Sequence, residues 1–437
     1  MDYFRFSPEC HYVKGSIRGT LYSIITGKVI HFSKVETEIV NCWLTNERVD
    51  TVESKYPKVA NELLNHLISE GLGFLYSTPV YTQPYEPNQP YYKLDESVEP
   101  PPVIKNVFIQ LTDRCNANCL FCKNKDYYVS RGCITCLRWG QGQYRDAKTT
   151  NKLNNDNMEK LLNQLAGLET QVLSFSGGNP LMEWAKLVDI VKKTTQYRPS
   201  IRFLVHTNGF GLNEKIAKDA VELNIRFNFT VFSDSQEGYQ KITGTGELFK
   251  LLLSAVEMCK MHQIIYAISV LVSPDSRQHY NKICQFAQNL GGASLFFSEI
   301  FPKTETKNPM VSLPVGEEAG EKSFSSSDPQ KFVEAKNFSK CLNGTLAVSE
   351  NGMILPCPMW IESITEIPED DIFSLFRNEK HKPFWELNKS KVSTCNRCEF
   401  RFLCNDCALI DHYRKEDPSI HNAVCTYNPE IGEWISY

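Results

Sequence analysis

The chain has no stretch of the roughly 18–20 apolar residues that a membrane helix needs. Its opening, MDYFRFSPECHYVKGS, lacks the continuous apolar run of a secretory signal and mixes acids with bases. No repeat with a period of roughly 20–50 residues runs through it, so a solenoid or propeller is not expected. Charge of one sign is also missing. Lys and Arg number 47 against 51 Asp and Glu, giving a net −4, so neither nucleic acid nor an anionic membrane is an expected partner. These absences together predict a cytoplasmic protein. Apolar residues make up 42% of the 437 positions and charged ones 22%, as in ordinary globular chains of two or three domains.

Cysteine is not scarce: there are 16. A secreted disulfide scaffold would be short and would spread its cysteines through loops. Here nine of them fall in two close clusters and one nearby pair. Clustered thiols in a reducing compartment point to metal or catalysis.

Three regions can be read along the chain. Around Thr26-Gly27, Leu21, Ile25, Val29 and Ile30 flank a turn, which predicts a hairpin over residues 15–32. Val35, Ile39, Val40 and Trp43 then suggest one helix. Val59, Leu63, Leu67 and Ile68 suggest a second, opened near Pro57 and stopped at Gly71. Hairpin and helices make residues 1–76 a winged-helix-like α+β module. Residues 77–105 hold seven of the 22 prolines and read as a stiff linker. From 106 to 302, strand candidates at Val107–Leu111, Val172–Ser176, Arg202–His206, Asn228–Phe232, Tyr266–Val272 and Leu295–Ile300 alternate with helical stripes. One stripe is Met158, Leu161, Leu162 and Leu165. Another is Trp184, Leu187, Ile190 and Val191, and a third is Ile216, Ala220 and Leu223. Such alternation implies βα units on a parallel sheet, and six units make a partial (β/α)6 barrel rather than a closed one. Residues 303–340 form a polar, turn-rich bridge, in which Glu317, Glu318 and Glu321 read as solvated. Residues 341–437 are cysteine-rich.

Cys115, Cys119 and Cys122 lie within eight residues, directly after the first barrel strand. Three thiolates at this spacing suit three corners of a four-iron cluster, leaving one iron open, although a zinc site completed from elsewhere has similar needs. Near the C-terminus come Cys341, Cys357, Cys395-x2-Cys398-x5-Cys404-x2-Cys407 and Cys425. Thiols at these spacings are a strong metal signature but do not choose between zinc and iron–sulfur.

The C-x3-C-x2-C loop at the end of strand one resembles that of the radical S-adenosylmethionine (SAM) enzymes. The resemblance implies that Cys115, Cys119 and Cys122 hold a [4Fe-4S] cluster whose open iron binds SAM. Its reduction would then yield a 5′-deoxyadenosyl radical. Phe121 would sit by the adenine. The family's Gly-Gly-Glu-Pro after strand two is here Gly177, Gly178, Asn179 and Pro180, with the acid replaced. Ser233 and Asp234, after strand four, would contact the ribose. The C-terminal cysteines resemble a SPASM extension. Cys395, Cys398, Cys404 and Cys425 would hold one auxiliary cluster, and Cys341, Cys357 and Cys407 another that lacks a ligand. The last interval is x2 where the usual pattern has x3. Either that cluster keeps an open iron or its missing ligand comes from elsewhere, with Cys133 and Cys136 as candidates; the alternative for this pair is two unconnected thiols in a loop. Cys10, Cys42, Cys259 and Cys284 stand singly and read as packing residues.

Residues 1–76 resemble the recognition element of enzymes that modify ribosomally made peptides, a three-stranded sheet with three helices that adds the substrate's leader as another strand. Such a leader would bind at the Gly27–Phe32 edge and the helix around Val59–Ile68. The order of modules resembles radical SAM peptide maturases that install carbon–carbon or thioether crosslinks. It implies a precursor peptide as substrate and an external flavodoxin- or ferredoxin-like electron donor. Two alternatives are a radical SAM maturase of a folded protein, of the sulfatase or quinone-cofactor kind, and a non-enzymatic zinc-stapled adaptor.

Overall fold

The computed structural model describes residues 2–85, 103–123, 127–130, 139, 153, 155–273, 276–302, 324–367, 371–404, 407–416, 425 and 427–434. Cys133, Cys136 and the glutamates of the bridge lie outside these.

Strands β1 (Tyr3–Phe6), β2 (Cys10–Lys14), β3 (Gly19–Ser23) and β4 (Val29–Phe32) precede three helices, α1 (Lys34–Leu44), α2 (Val49–Lys55) and α3 (Val59–Ser69). Strand β5 (Gly73–Tyr76) returns to pair antiparallel with β1, while β2, β3 and β4 form an antiparallel sheet of three. The predicted hairpin is β3–β4, with Gly27 at φ 71° in its turn. Helix α1 opens with a capping box between Ser33 and Glu36, which supplies partners to two orphan backbone donors. The helix faces differ from the sequence stripes by a small rotation. Val35, Val59 and Ile68 are exposed, and α3 instead buries Ala60, Leu63, Leu64 and Leu67 against Phe4, Phe32 and Trp43. Choosing Ala60 over Val59 places the stripe over the sheet, which the larger side chain alone did not reveal.

The main sheet has ten strands in the order β15-β14-β13-β6-β8-β9-β10-β11-β12-β7. Its parallel centre is β6 (Asn106–Gln110), β8 (Val172–Ser176), β9 (Arg202–Thr207), β10 (Ile225–Val231), β11 (Tyr266–Val272) and β12 (Leu295–Pro302). These are the six predicted strands, shifted at their ends by at most a few residues. Each pairs with the next in parallel, and the sheet stays open, as a partial barrel does. Strand β7 (Tyr127–Ser130) closes one end antiparallel to β12. At the other end β13 (Thr345–Val348) lies parallel beside β6, followed by β14 (Met353–Leu355) and β15 (Thr365–Glu366). The helix-facing side of the sheet is apolar. It presents Val107, Ile109, Leu173, Phe175, Val205, Phe227, Phe229, Ile268 and Val270 to one large core.

The N-terminal module packs on the C-terminal region. Val13, Tyr22 and Val29 share a buried cluster with Phe332, Phe402 and Leu403. Gly27 O accepts from Ser327 N at 2.8 Å, and Lys28 forms a bridge with Ser326. The chain itself thus occupies the start of the Gly27–Phe32 edge. Among the described residues no helix is long and apolar enough to cross a membrane.

Candidate active site

All the loops of interest leave the carboxyl ends of the parallel strands, where open α/β sheets place ligands. After β6 the chain turns through Thr112, whose hydroxyl accepts from Arg114 N at 3.1 Å. Cys119 is buried, and Cys115 and Cys122 are half-buried. The loop is held by its neighbours. Asn208 Nδ2 donates to Asn116 Oδ1 at 3.1 Å and lies 3.8 Å from Cys115 Sγ, and Asn118 N donates to Thr243 O at 2.9 Å. A single helical turn, Leu120–Lys123, carries Phe121, whose ring packs 6.1 Å from Phe232. Asn208 was not singled out from sequence. Its signal is the run Thr207-Asn208-Gly209 at a strand end, where side-chain hydrogen bonds favour loops.

The glycine loop after β8 fits against this one. Gly177 and Gly178 have φ of 83° and 58°. A Cβ on Gly178 would lie 2.3 Å from Arg114 O, and one on Gly177 would lie 2.7 Å from Trp139 Cδ1. Asn179 N donates to Arg114 O at 2.8 Å, joining the two loops. The Asn179 side chain is fully buried. It donates to Phe210 O at 2.9 Å, while its oxygen accepts from Thr207 Oγ1 at 2.9 Å. A carboxylate has no proton for the Phe210 carbonyl, which gives a local reason for the amide at this position. Pro180 starts a 3₁₀ turn capped by Asn179. Replacing Gly178 with alanine would drive a methyl into backbone at a strained φ, costing about 1–3 kcal/mol and displacing the thiol loop. SAM affinity measured by calorimetry should fall about tenfold or more, tenfold corresponding to roughly 1.4 kcal/mol.

Ser233 and Asp234 follow β10. Ser233 is buried and donates to Asp234 Oδ1 at 3.4 Å, and Ser235 caps the next helix through Gly238 N. Both therefore stand on the same rim as the thiol and glycine loops.

The C-terminal thiols form two groups. Cys395, Cys398, Cys404 and Cys425 line one cavity of about 410 Å³, together with Phe400 and Trp434. Cys341, Cys357 and Cys407 lie near one another. Burial and then Cys407 raise the Cys357 thiol, and Cys407 also raises the thiol of Cys341, a residue that is itself exposed. N–H groups of Ala408, and of Met359 and Trp360, point at these two sulfurs and oppose the rise. A single zinc would draw its thiols to about 2.3 Å from one point. Among the described residues no three His, Cys, Asp or Glu are gathered that tightly. Cys10 and Cys259 are buried in apolar surroundings that raise each thiol to about 12, as packing residues would be.

Between the groups lies a buried ion pair. Lys389 Nζ stands 2.8 and 2.7 Å from the two Asp411 oxygens, and Lys389 lines both the 410 Å³ cavity and a neighbouring one of about 280 Å³. Burial lowers the Lys340 ammonium in the second cavity to about 8.

This open parallel sheet, with a thiol loop and a glycine loop meeting at its rim, defines an α/β fold with a candidate cofactor site. Residues 109–287 match the Radical SAM superfamily model. An uncharacterized protein of Methanocaldococcus jannaschii is 21% identical over 46% of this chain and 64% of its own length. GTP 3',8-cyclase of Clostridium perfringens is 24% identical over 38% of this chain and 46% of its own. The chain thus spans less than two thirds of either relative. Among solved structures, native anSMEcpe with bound AdoMet and Cp18Cys peptide superposes with a TM-score of 0.51 at 16% identity, covering 74% of this chain and 96% of that one. Residues 109–287 therefore carry a radical SAM domain match, and the solved structure shares the fold. This match counts against the non-enzymatic adaptor reading. The residues present fit the cofactor: three soft thiols lie in one loop at the rim, and two glycines let the next loop close directly on the backbone of that loop.

Proposed function

We propose that this enzyme matures a ribosomally synthesised precursor peptide, installing an intramolecular carbon–carbon or thioether crosslink. In this reading Cys115, Cys119 and Cys122 hold the catalytic cluster. Gly177, Gly178, Asn179 and Pro180 form the bed for SAM, and Phe121, Ser233 and Asp234 flank its nucleoside. Bound there, cluster and SAM supply the hydrogen-abstracting radical chemistry. The chain's own part is to orient the peptide carbon and exclude water and oxygen. Cys395, Cys398, Cys404 and Cys425, with Cys341, Cys357 and Cys407, are the proposed auxiliary ligands. An external flavodoxin- or ferredoxin-like protein is the proposed reductant.

One observation carries the peptide reading. The N-terminal module, a three-stranded sheet with a two-stranded pair and three helices, is docked on the cysteine-rich loop rather than set apart from it. Tyr22 OH donates to Glu399 O at 2.6 Å, Ser16 N to Arg397 O at 2.8 Å and Arg401 Nη1 to Lys14 O at 3.0 Å. A leader added to the module would be held over the same molecule's redox centre. β4 from Val29 onward is the proposed edge for it.

The test is anaerobic incubation of the reconstituted enzyme with SAM, reductant and the peptide encoded by a short reading frame beside the gene. Mass spectrometry should show loss of two hydrogens from the core. Removing the leader should lower kcat/KM about 10- to 100-fold, on the order of 1.4–2.8 kcal/mol. SAM consumption with an unchanged peptide, and oxidation of a folded protein instead, would favour the folded-protein alternative. Loaded protein should hold roughly eight to twelve irons, from two or three four-iron clusters.

A further inference from the structure

The concave side of the sheet is polar where barrels of this kind are ordinarily filled by bulky apolar residues. At the carboxyl end, positions alternating with the apolar core carry Gln110, Ser176, His206, Asn228 and Ser269, all essentially buried. The register aligns them. Gln110 pairs with Ser176, His206 follows the Phe175–Val205 pair, and Asn228 pairs with His206. This row lies one residue below the glycine loop and five below Cys115.

Among the described residues, two donors in the row lack a hydrogen-bond partner. His206 Nε2 and Gln110 Nε2 are both buried without a hydrogen bond. Their orientations are set by what the other end of each side chain does. Ser269 Oγ donates to Asn228 Oδ1 at 3.0 Å, so the Asn228 amide nitrogen faces His206 Nδ1 at 3.1 Å. Nδ1 is then the acceptor, and the proton sits on Nε2. Gln110 Oε1 accepts from Glu350 N at 3.4 Å, which leaves its NH₂ unmatched. Ser176 Oγ, between the two strands, already accepts from the Trp139 indole at 3.0 Å. Burial holds His206 neutral, with its pKa lowered to about 3. Buried donors left unmatched cost free energy, so a pair on the same face of the sheet, on the two strands that flank β8, marks a site waiting for an acceptor.

We propose that His206 and Gln110 bind a neutral carbonyl oxygen of the substrate, a backbone or side-chain amide of the peptide, and so position the attacked residue beneath the cofactor loops. This deepens the peptide reading and rests on it. A carboxylate is disfavoured because the row holds no cation to compensate its burial.

The probe is N-methylacetamide, soaked into crystals of the full-length, cluster-loaded enzyme, with acetate as the charged control. The amide oxygen should lie within hydrogen-bonding distance of His206 Nε2 and Gln110 Nε2, and acetate should be absent. Amide density should vanish in His206→Phe and Gln110→Leu, and persist in His206→Gln, which keeps an N–H. Water alone in the wild-type site, acetate in place of the amide, or amide retained in His206→Phe would overturn the proposal. With the precursor peptide, His206→Phe should raise KM about tenfold or more, since a lost uniform contact appears in KM rather than kcat. A fall in kcat with KM unchanged would count against it. If the amide binds but no peptide is turned over, the site stands and the peptide reading fails.

Discussion

The variant Cys115→Ala/Cys119→Ala/Cys122→Ala is expected to lose SAM cleavage entirely while keeping part of its iron. The three thiols come from one loop, and that loop touches the rest of the site through Asn116, Asn118 and Arg114 rather than through the sulfurs alone. Alanine therefore removes the donors and leaves the anchors. The C-terminal thiols lie in a separate region, around their own cavity and around Cys407. Their iron should survive. Liquid chromatography for 5′-deoxyadenosine and an iron and sulfide assay check both halves. Because donors acting as a unit are not additive, each single alanine should approach the full loss, at least about a thousandfold by analogy with other catalytic units. Undiminished SAM cleavage in the triple variant would refute the assignment.

The second large effect is on stability. Lys389→Met should destabilise the C-terminal region by about 3–5 kcal/mol, because it leaves the Asp411 carboxylate buried without its counter-charge. Lys389 is 9% exposed and Asp411 2%, so water does little to screen the pair. Urea unfolding of the loaded protein, followed by iron release, should show a transition at distinctly lower denaturant. Since Lys389 lines the cavity that holds four thiols, the variant should also retain less iron after gel filtration. The double variant Lys389→Met/Asp411→Leu removes both charges and should recover most of the loss. A single variant as stable as the parent would show that the ion pair is dispensable.

Much of the barrel was legible because each strand is a short β-branched or aromatic run between helical stripes. Tyr266–Val272 and Val172–Ser176 were read to the residue. The added strands were not. Thr345–Val348 has four residues and no alternation, and its partner β6 lies more than 230 positions earlier, so no local pattern marks it. Helix α2, with only Val49 and Val52 buried, is too short for a stripe. In the site, the spacing of the thiols and the paired glycines stood out because such spacing is rare by chance. The role of Asn179 did not, because it depends on the Phe210 carbonyl that folding brings to it. Polar residues such as His206 and Asn228 stand at the ends of predicted strands, where nothing in the sequence relates one to the other. Only the alternation of the folded sheet shows that they form a row.

The contact between the N-terminal module and the cysteine-rich loop has a consequence for synthesis. Tyr22 meets Glu399 across 377 positions, and Ser16 meets Glu430 across 414. The module is synthesised before the barrel, and its own core from Phe4 to Leu72 closes without it. Its docking surface follows only after the barrel strands. On the nascent chain Val13, Tyr22 and Val29 must wait uncovered while the barrel is made. Translation order thus separates an early, self-contained fold from a late clasp. Protease should cut the module's β2–β3 turn readily in ribosome-bound chains halted before residue 395, and poorly in released ones.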